Sequence, residues 1–268
     1  MTVQDFLAKA SKTLETHGIA TARLDCLVLL EDELGKDRAH LLAHPEAKIS
    51  HSTEVDLNKK IAQRAAHTPL AYIRGKAEFY GREFAINRYV LVPRPETETM
   101  ISLLKSLPLP PKPTFADIGT GTGCIGITAA LELPGSKVIL YDIDDQALKL
   151  AKQNADTLKT RVELFNSNLL QRDPASDVIL TNLPYVPERY AINQAAEYEP
   201  KHAIFGGKDG LNLYRQLWDQ ITTLPKQPAF VLTEALPTQH DDMTAIAVGS
   251  GYKLLEVQDF IQVFAKNS

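Results

Sequence analysis

The chain has 268 residues, of which 44% are hydrophobic and 23% are charged, and its formal net charge is -4. A chain of this composition can bury a substantial core, which excludes a disordered protein. The net negative charge, without a polybasic tail, argues against tight non-specific binding of nucleic acid. Its apolar runs are too short to cross a bilayer, and residues 1–10 lack the apolar block of a signal peptide. We therefore expect no membrane association and a cytoplasmic protein.

The cysteines and histidines give little indication of a metal site. Two cysteines make neither a disulfide framework nor a cysteine-rich zinc site. His40 and His44 lie four residues apart on a helical stretch, but the sequence shows no third ligand beside them. Cys124 lies at a predicted helix N-terminus, where the pKa of a thiol can fall, although packing is its commoner role. We predict no metal.

The first 71 residues show the period of amphipathic helices. Apolar residues recur at spacings of three and four after Thr2, the expected N-cap of a first helix. A second helix is predicted over 23–34, ending at Gly35, and a third begins near Thr53. Because such short helices are unstable alone, they must pack together. The sequence therefore predicts a small helical bundle over 1–71.

Residues 72–93 change to the pattern of strands. Segments 77–80 and 83–86 flank Gly81 and predict a β-hairpin, which two prolines then end. We interpret 72–93 as a linker and 94–268 as a second domain, which begins with a helix and a proline-rich connector.

Strands and helices alternate through the rest of the chain. Apolar strands are predicted over 114–118, 137–142, 161–165, 177–181 and 228–234. Helices are predicted over 122–133, 144–158 and 211–224. This alternation predicts an α/β fold with a parallel sheet covered on both faces. Two late strands, over 252–258 and 260–265, predict an antiparallel hairpin at one edge.

A glycine-rich loop follows the first of these strands, and an acid ends the second. The loop carries Asp117, Gly119, Thr120, Gly121, Thr122 and Gly123. Glycines allow a sharp turn and close approach to a ligand, and the helix that follows offers unpaired N–H groups. Asp142 is placed to accept hydrogen bonds from the ribose of an adenosine. Together they indicate an adenosine-containing cofactor, either NAD or S-adenosylmethionine.

The tetrapeptide Asn182-Leu183-Pro184-Tyr185 follows the fourth strand and points to the chemistry. Asn182 offers a side-chain carbonyl and Leu183 a backbone carbonyl, while the ring of Tyr185 can lie against a conjugated plane. These groups suit an –NH2 whose lone pair is delocalised, as in an amide or an aminopurine. Accepting hydrogen bonds from both its hydrogens directs the lone pair and stabilises developing positive charge. The tetrapeptide therefore favours methyl transfer over hydride transfer.

Further motifs lie along most of the chain. They are Arg64-x-x-x-x-Pro69-Leu70-x-Tyr72-Ile73-x-Gly75, Phe79-Tyr80-Gly81-x-x-Phe84, Leu91-Val92-Pro93-Arg94-Pro95-Glu96-Thr97-Glu98, residues 117–123, residues 182–185, Tyr198-Glu199-Pro200 and Gly206-Gly207-x-Asp209-Gly210-Leu211-x-x-Tyr214-Arg215. Through these motifs the chain resembles the protein-glutamine N5-methyltransferases that modify peptide chain release factors, the PrmC/HemK family. The resemblance spans nearly the whole chain.

The resemblance implies a class I S-adenosylmethionine-dependent methyltransferase, with a Rossmann-like, mostly parallel seven-stranded sheet behind a helical substrate-docking domain and a hairpin linker. The implied acceptor is the glutamine of a Gly-Gly-Gln motif in a release factor, without direct contact to nucleic acid. The implied cofactor site comprises Asp117, Gly119, Thr120, Gly121, Thr122, Gly123, Asp142, Ile143, Asn168, Leu169 and Asn182. The implied substrate site comprises Asn182, Leu183, Pro184 and Tyr185, which are also the catalytic set, with Arg94, Pro95 and Glu98 at the mouth.

Three positions depart from the family's usual pattern. Leu183 stands where the family usually has proline, which frees Asn182 from the pre-proline restriction, so we expect weaker preorganisation. Asn168 replaces the usual aspartate, and its amide oxygen can still accept a hydrogen bond from an adenine amino group. Residues 259–268 lack the arginine commonly found there.

Three other functions stay open at this point. The tetrapeptide also resembles that of adenine N6-methyltransferases acting on rRNA or DNA, although those rRNA enzymes carry their helical extension after the catalytic domain. A non-catalytic S-adenosylmethionine-binding module would accommodate the departures at Leu183 and Asn168. An NAD-dependent oxidoreductase would use the same glycine loop, but no catalytic His, Lys and Tyr set is evident.

Overall fold

The structure is a computed structural model that describes residues 1–171 and 175–267. Residues 172–174 and 268, which belong to the domain predicted over 94–268, lie outside the described residues. The chain divides into two compact units: Met1–Gly75 with Asn193–Tyr198, and Lys76–Ile192 with Glu199–Ser268. In the described part of the chain, no helix has both the length and the apolar character that a bilayer crossing requires.

The first unit is helical, as predicted. Its helices are α1 (Val3–Thr16), α2 (Ala22–Leu34), α3 (Arg38–Ala43), α4 (His51–Ala65) and α5 (Leu70–Arg74). Thr2 caps α1, because its hydroxyl accepts the Asp5 N–H while the Asp5 carboxylate accepts the Thr2 N–H. Gly35 ends α2 in the left-handed conformation. The sequence predicts a helical stretch at His40 but not the limits of α3, and it does not predict α5, because neither helix is long enough for a periodic signal.

A buried ion pair joins two helices of this unit. Asp25 of α2 is only 4% exposed, and Arg64 Nε of α4 donates to its Oδ2 across 2.6 Å. The same guanidinium donates through Nη1 to the carbonyl of Thr68 across 3.3 Å. A buried carboxylate without a cation is strongly destabilising, so Arg64 stabilises the pairing of α2 with α4.

Within its described residues, the second unit contains two sheets and five α-helices. The antiparallel hairpin consists of β1 (Lys76–Phe79) and β2 (Arg82–Ala85). The large sheet consists of β3 (Thr114–Ile118), β4 (Lys137–Asp142), β5 (Glu163–Asn166), β6 (Val178–Thr181), β7 (Phe230–Glu234), β8 (Tyr252–Gln258) and β9 (Ile261–Lys266). The helices are α6 (Glu98–Ser106), α7 (Cys124–Glu132), α8 (Asp145–Thr157), α9 (Asn212–Thr223) and α10 (His240–Gly249).

The large sheet has the strand order β5-β4-β3-β6-β7-β9-β8. The first five strands in this order are parallel, while β9 runs antiparallel to both β7 and β8. The predicted parallel sheet with an antiparallel edge hairpin is therefore confirmed. The chain moves outward in one direction from β3 and in the other from β6, so the crevice between them is the topological switch point, where open sheets of this kind bind ligands.

Side chains alternate between two cores, one on each face of the sheet. Phe115 packs on one face with both phenylalanines of the hairpin, Phe79 and Phe84. Its neighbour Ala116 packs on the other face, in a core that contains Trp218. This two-residue period is why the buried strands appear as continuous apolar runs. Helix α10 was not predicted, because only Met243 and Ala247 along it are buried.

We predict that Arg64→Ala lowers the free energy of unfolding of the helical unit by about 3–5 kcal/mol, because Asp25 is left buried without its cation. Chemical denaturation followed by circular dichroism measures the loss. The matched control is Lys59→Ala, which breaks an exposed ion pair to Asp56 and costs less than about 1 kcal/mol. Equal effects of the two substitutions would contradict this assignment.

Candidate active site

A cleft in the second unit lies where the parallel strands β3, β4, β5 and β6 end. Segments that follow each of these strands line it, as does the segment before α6. The carboxyl ends of parallel strands meet at one edge of the sheet, which explains why segments distant in sequence converge there. The sequence-predicted residues that line the cleft are Arg94, Gly119, Thr120, Gly121, Thr122, Asp142, Ile143, Asn168, Leu169, Asn182, Leu183 and Pro184.

The remaining sequence-predicted residues lie beside the cleft without lining it. Asp117 is fully buried at the end of β3, and Gly123 forms the N-cap of α7. The hydroxyl of Tyr185 points to a buried carboxylate. Pro95 begins a short 3-10 turn, and Glu98 accepts the Tyr80 N–H of the hairpin across 2.9 Å. Pro95 and Glu98, which the sequence interpretation put at the mouth, are therefore not among the residues that line the cleft.

Two glycines explain the path of the loop after β3. Gly121 has a φ of 55°, a left-handed conformation that side-chain-bearing residues rarely adopt. Its N–H donates to Oδ2 of Asp142 across 2.9 Å. Gly126 lies where α7 packs on the sheet, and a Cβ there would approach Leu140 Cδ2 to 2.3 Å. Position 121 thus requires glycine for its backbone conformation, and position 126 requires glycine because a larger side chain would collide with the sheet.

Several backbone N–H groups of this loop and of the start of α7 are already engaged within the protein. Those of Gly119 and Thr120 both donate to the Tyr141 carbonyl across 2.9 Å. The N–H of Gly126 donates to the Asp117 carboxylate across 2.9 Å. In a dinucleotide site such donors hold the pyrophosphate anion. Here carboxylates and a carbonyl occupy them, which disfavours the NAD alternative.

Two carboxylates give this end of the sheet negative charge: Asp117, which is fully buried, and Asp142, which is partly buried and lines the cleft. Burial raises the pKa of Asp117 to about 6, although hydrogen bonds from Thr120 and Gly126 act in the opposite direction. Burial also raises the pKa of Asp142, whose oxygens accept the N–H groups of Gly121 and Asp144. Asp117 Oδ1 has no hydrogen-bond partner within the described residues. Such a site favours a cationic ligand over a phosphate.

Asp142 is free for a ligand because a neighbouring residue caps the next helix. The side chain of Asp144 accepts the Gln146 N–H across 2.8 Å and so forms the N-cap of α8. Asp142 lines the cleft with acceptor capacity beyond its two backbone hydrogen bonds. Beside it, the apolar side chain of Ile143 is 65% exposed. An exposed apolar surface next to a carboxylate suits a nucleoside.

Cys124 lines the cleft but is not activated. Burial raises the pKa of its thiol to about 12, despite a hydrogen bond from Thr122 that acts to lower it. The thiol is therefore protonated at neutral pH, and a protonated thiol is a poor nucleophile. Packing is its role. In the parts of the chain that the structure describes, no three His, Cys, Asp or Glu side chains are placed to hold a metal ion.

Leu183 is restrained differently from what the sequence suggested. Its N–H donates to the hydroxyl of Tyr214 across 3.2 Å, and that hydroxyl donates to the Glu234 carbonyl across 2.5 Å. Proline has no N–H and cannot make the first of these bonds. The hydrogen bond therefore restrains the backbone at Leu183, in place of the ring of a proline.

Sequence reasoning missed a buried acid beside the tetrapeptide. Glu234 ends β7, is 1% exposed, and accepts hydrogen bonds from Thr97 across 2.6 Å and from Tyr185 across 3.0 Å. Burial raises its pKa, while these hydroxyls act to lower it. The signal was available, since Glu234 is an acid at the end of a parallel strand, as Asp142 is. Asn182 completes the cluster by donating from Nδ2 to Thr97 Oγ1 across 3.1 Å.

A second acid to which the sequence assigned no role, Glu199, restrains the segment at the mouth of the cleft. Glu199 is 4% exposed and accepts hydrogen bonds from the Val92 N–H across 3.0 Å and from Arg94 Nη2 across 2.6 Å. The ion pair fixes Arg94 at the lining of the cleft, where the sequence placed it. It also explains the acid in the Tyr198-Glu199-Pro200 motif.

Comparison with known proteins gives matches over both units. Residues 5–75 match the family model described as the PrmC N-terminal domain, and residues 97–199 match the model described as the methyltransferase small domain. Among solved structures, the hMettl16 catalytic domain in complex with the MAT2A 3'UTR hairpin 6 has a TM-score of 0.56 and 15% identity. The similarity covers 87% of this chain and 92% of that chain, and it shows a shared fold alone.

Relatives in sequence extend over most of the chain. A release factor glutamine methyltransferase of Koribacter versatilis (strain Ellin345) is 37% identical, covering 87% of this chain and 86% of the relative. A bifunctional methyltransferase of Rickettsia bellii (strain RML369-C) is 30% identical over 97% of this chain, which spans 53% of that relative. The chain therefore belongs to the release factor glutamine methyltransferase family and is an enzyme that uses S-adenosylmethionine.

Proposed function

We propose that this chain methylates the side-chain amide nitrogen, N5, of the glutamine in the Gly-Gly-Gln motif of a peptide chain release factor. The observation that carries the proposal is the pair of acceptors at Asn182 and Leu183, which lies in the same cleft as the carboxylate of Asp142. Release factors act at the ribosome, so we also propose a cytoplasmic location.

The residues of the cleft fit S-adenosylmethionine. Asp142 would accept hydrogen bonds from the ribose hydroxyls, while Ile143, Asn168 and Leu169 would border the adenine. The unpaired Oδ1 of buried Asp117 provides negative charge beneath the glycine loop, which suits the cationic methionine part. When bound, the cofactor supplies an electrophilic methyl group.

The protein contributes to the reaction by binding and orienting the acceptor amide. An amide nitrogen is a poor nucleophile, because its lone pair is delocalised into the carbonyl. Asn182 Oδ1 and the Leu183 carbonyl accept its two hydrogens, which orients the nitrogen and stabilises positive charge as it develops. The alkylated nitrogen loses a proton to water, so this mechanism requires no general base.

The helical unit is the part that we assign to docking of the release factor. The proposed boundaries are a docking domain over 1–71, a hairpin linker over 72–93 and a methyltransferase domain over 94–268. The match of residues 5–75 to the PrmC N-terminal domain supports the first boundary.

The relatives and the net charge of -4 favour a protein acceptor over the adenine of rRNA or DNA. A non-catalytic module is disfavoured, because the structure retains both acceptors at the tetrapeptide and the carboxylate at Asp142. Purified enzyme, labelled S-adenosylmethionine and a release factor test the proposal directly. Mass spectrometry is expected to locate the label on the Gly-Gly-Gln glutamine, and label on RNA alone would refute the proposal.

Asn182→Ala is expected to lower kcat by roughly 10²–10³, because it removes one preorganised acceptor of the amide. Single-turnover methylation of a release factor measures the chemical step. The thermal unfolding midpoint serves as the control and is expected to change little. A variant that keeps near-normal turnover would remove Asn182 from the mechanism.

Asp142→Ala is expected to weaken binding of S-adenosylmethionine by about 10- to 100-fold, since the ribose loses a charged acceptor. Calorimetry measures the dissociation constant. Asp145→Ala is the matched control, because that carboxylate is nearby but binds Asn166 and does not line the cleft. Equal affinities for the two variants would refute the role of Asp142.

Affinity for S-adenosylmethionine is expected to increase about tenfold between about pH 5 and pH 7. Asp117, whose pKa is about 6, is neutral below this range and negative above it, and only the ionised form attracts the sulfonium. S-Adenosylhomocysteine lacks that charge, so its affinity changes less in the same calorimetric series. Asp117→Asn retains an acceptor oxygen and is expected to abolish the difference, whereas identical pH profiles for both ligands in the wild type would contradict it.

A further inference from the structure

A short chain of hydrogen bonds leads from Asn182 to the buried acid at the end of β7. Asn182 Nδ2 donates to Thr97 Oγ1 across 3.1 Å, and Thr97 Oγ1 donates to Glu234 Oε2 across 2.6 Å. Thr97 is 2% exposed and Glu234 is 1% exposed. At these burials bulk water does not compete for the hydrogen bonds, which are correspondingly strong.

The single hydroxyl proton of Thr97 determines the direction of this chain. In the structure Thr97 donates this proton to Glu234 Oε2. The Thr97 oxygen is then left to accept, and it requires a donor from Asn182. Of the two ends of the Asn182 amide, only the NH2 can donate. Thr97 and Glu234 therefore distinguish between two amide orientations that are otherwise nearly equal in shape.

From these hydrogen-bond directions we propose that Thr97 and Glu234 are positioning residues that hold Asn182 with its side-chain oxygen available to the acceptor amide. This inference rests on the proposed function and extends it to two residues for which sequence reasoning assigned no role of this kind. In the flipped orientation, the Asn182 NH2 would meet the NH2 of the substrate glutamine, and two donors cannot bind each other.

Glu234 also restrains the rest of the tetrapeptide. Its Oε1 accepts the hydroxyl of Tyr185 across 3.0 Å. Its backbone carbonyl accepts the hydroxyl of Tyr214, which in turn accepts the Leu183 N–H. One residue at the end of β7 thus connects, directly or through one hydroxyl, to Asn182, Leu183 and Tyr185. This arrangement makes Glu234 the common anchor of the residues that bind the acceptor.

The test compares threonine substitutions of matched shape. Thr97→Val replaces the hydroxyl by a methyl group, so we expect kcat for methylation of a release factor to fall about tenfold, with KM for the release factor little changed. Thr97→Ser retains the hydroxyl and is expected to restore most of the rate. The control is Thr233→Val, which removes another fully buried hydroxyl, one that has no hydrogen-bond partner within residues 1–171 and 175–267. We expect no effect of this control on kcat.

A double-mutant cycle identifies the route of the effect. If Thr97 acts through Asn182, then Thr97→Val has no further effect on the rate of the Asn182→Ala enzyme. An undiminished tenfold loss in that background would overturn the inference. A Thr97→Val enzyme with wild-type kcat would also overturn the inference, provided that the wild type methylates the release factor. Absence of methylation by the wild type would instead refute the proposed function.

A spectroscopic readout separates positioning from a general loss of stability. In 15N-labelled protein, the Asn182 side-chain proton that bonds to Thr97 is expected to exchange slowly with solvent. Thr97→Val and Glu234→Gln are both expected to accelerate that exchange, whereas Thr233→Val is not. Unchanged exchange in both variants would overturn the inference. If Thr97→Val does not fold, Glu234→Gln still provides the test.

Discussion

Three carboxylates at the carboxyl ends of parallel strands, two of them buried and one partly buried, are the constraint on which this site depends. Asp117 is the penultimate residue of β3, Asp142 is the last residue of β4, and Glu234 is the last residue of β7. A buried charge is costly unless hydrogen bonds satisfy it. Each of these acids therefore holds the loops around it in one conformation: the glycine loop for the two aspartates, and the tetrapeptide with the start of α6 for Glu234.

Under the proposed function, the same arrangement separates the residues for the cofactor from those for the acceptor within one cleft. On the side of β3 and β4, carboxylates occupy the N–H donors of the glycine loop, so that side suits a cationic cofactor rather than a phosphate. On the side of β6 and β7, hydroxyls engage the acid, and we propose that Asn182 and Leu183 serve there as neutral acceptors. A methylated nitrogen needs such acceptors because positive charge develops on it during the reaction.

How well the sequence predicted an element depends on how strong the local pattern of that element is. Strands β3 and β4 have the limits that the sequence predicted, because buried apolar runs bounded by turn residues are a strong local pattern. Strand β8 also has its predicted limits, although only Tyr252 along it is buried. Helix α10 was missed, since few of its residues are buried. The restraint on Leu183 was also missed: the sequence showed only the loss of a proline, whereas the structure shows its N–H bonded to Tyr214.

The sequence by itself determined the alternating fold, the helical first domain, the glycine loop, Asp142 and the tetrapeptide, because each of these is a run of neighbouring residues with its own chemistry. Only the tertiary structure decided how Thr97 and Glu234, which are 137 positions apart, act on Asn182. It also decided that Glu98 faces the hairpin instead of the cleft. The physical reason is that hydrogen-bond direction and burial depend on which side chains the sheet brings together, and spacing along the chain does not contain that information.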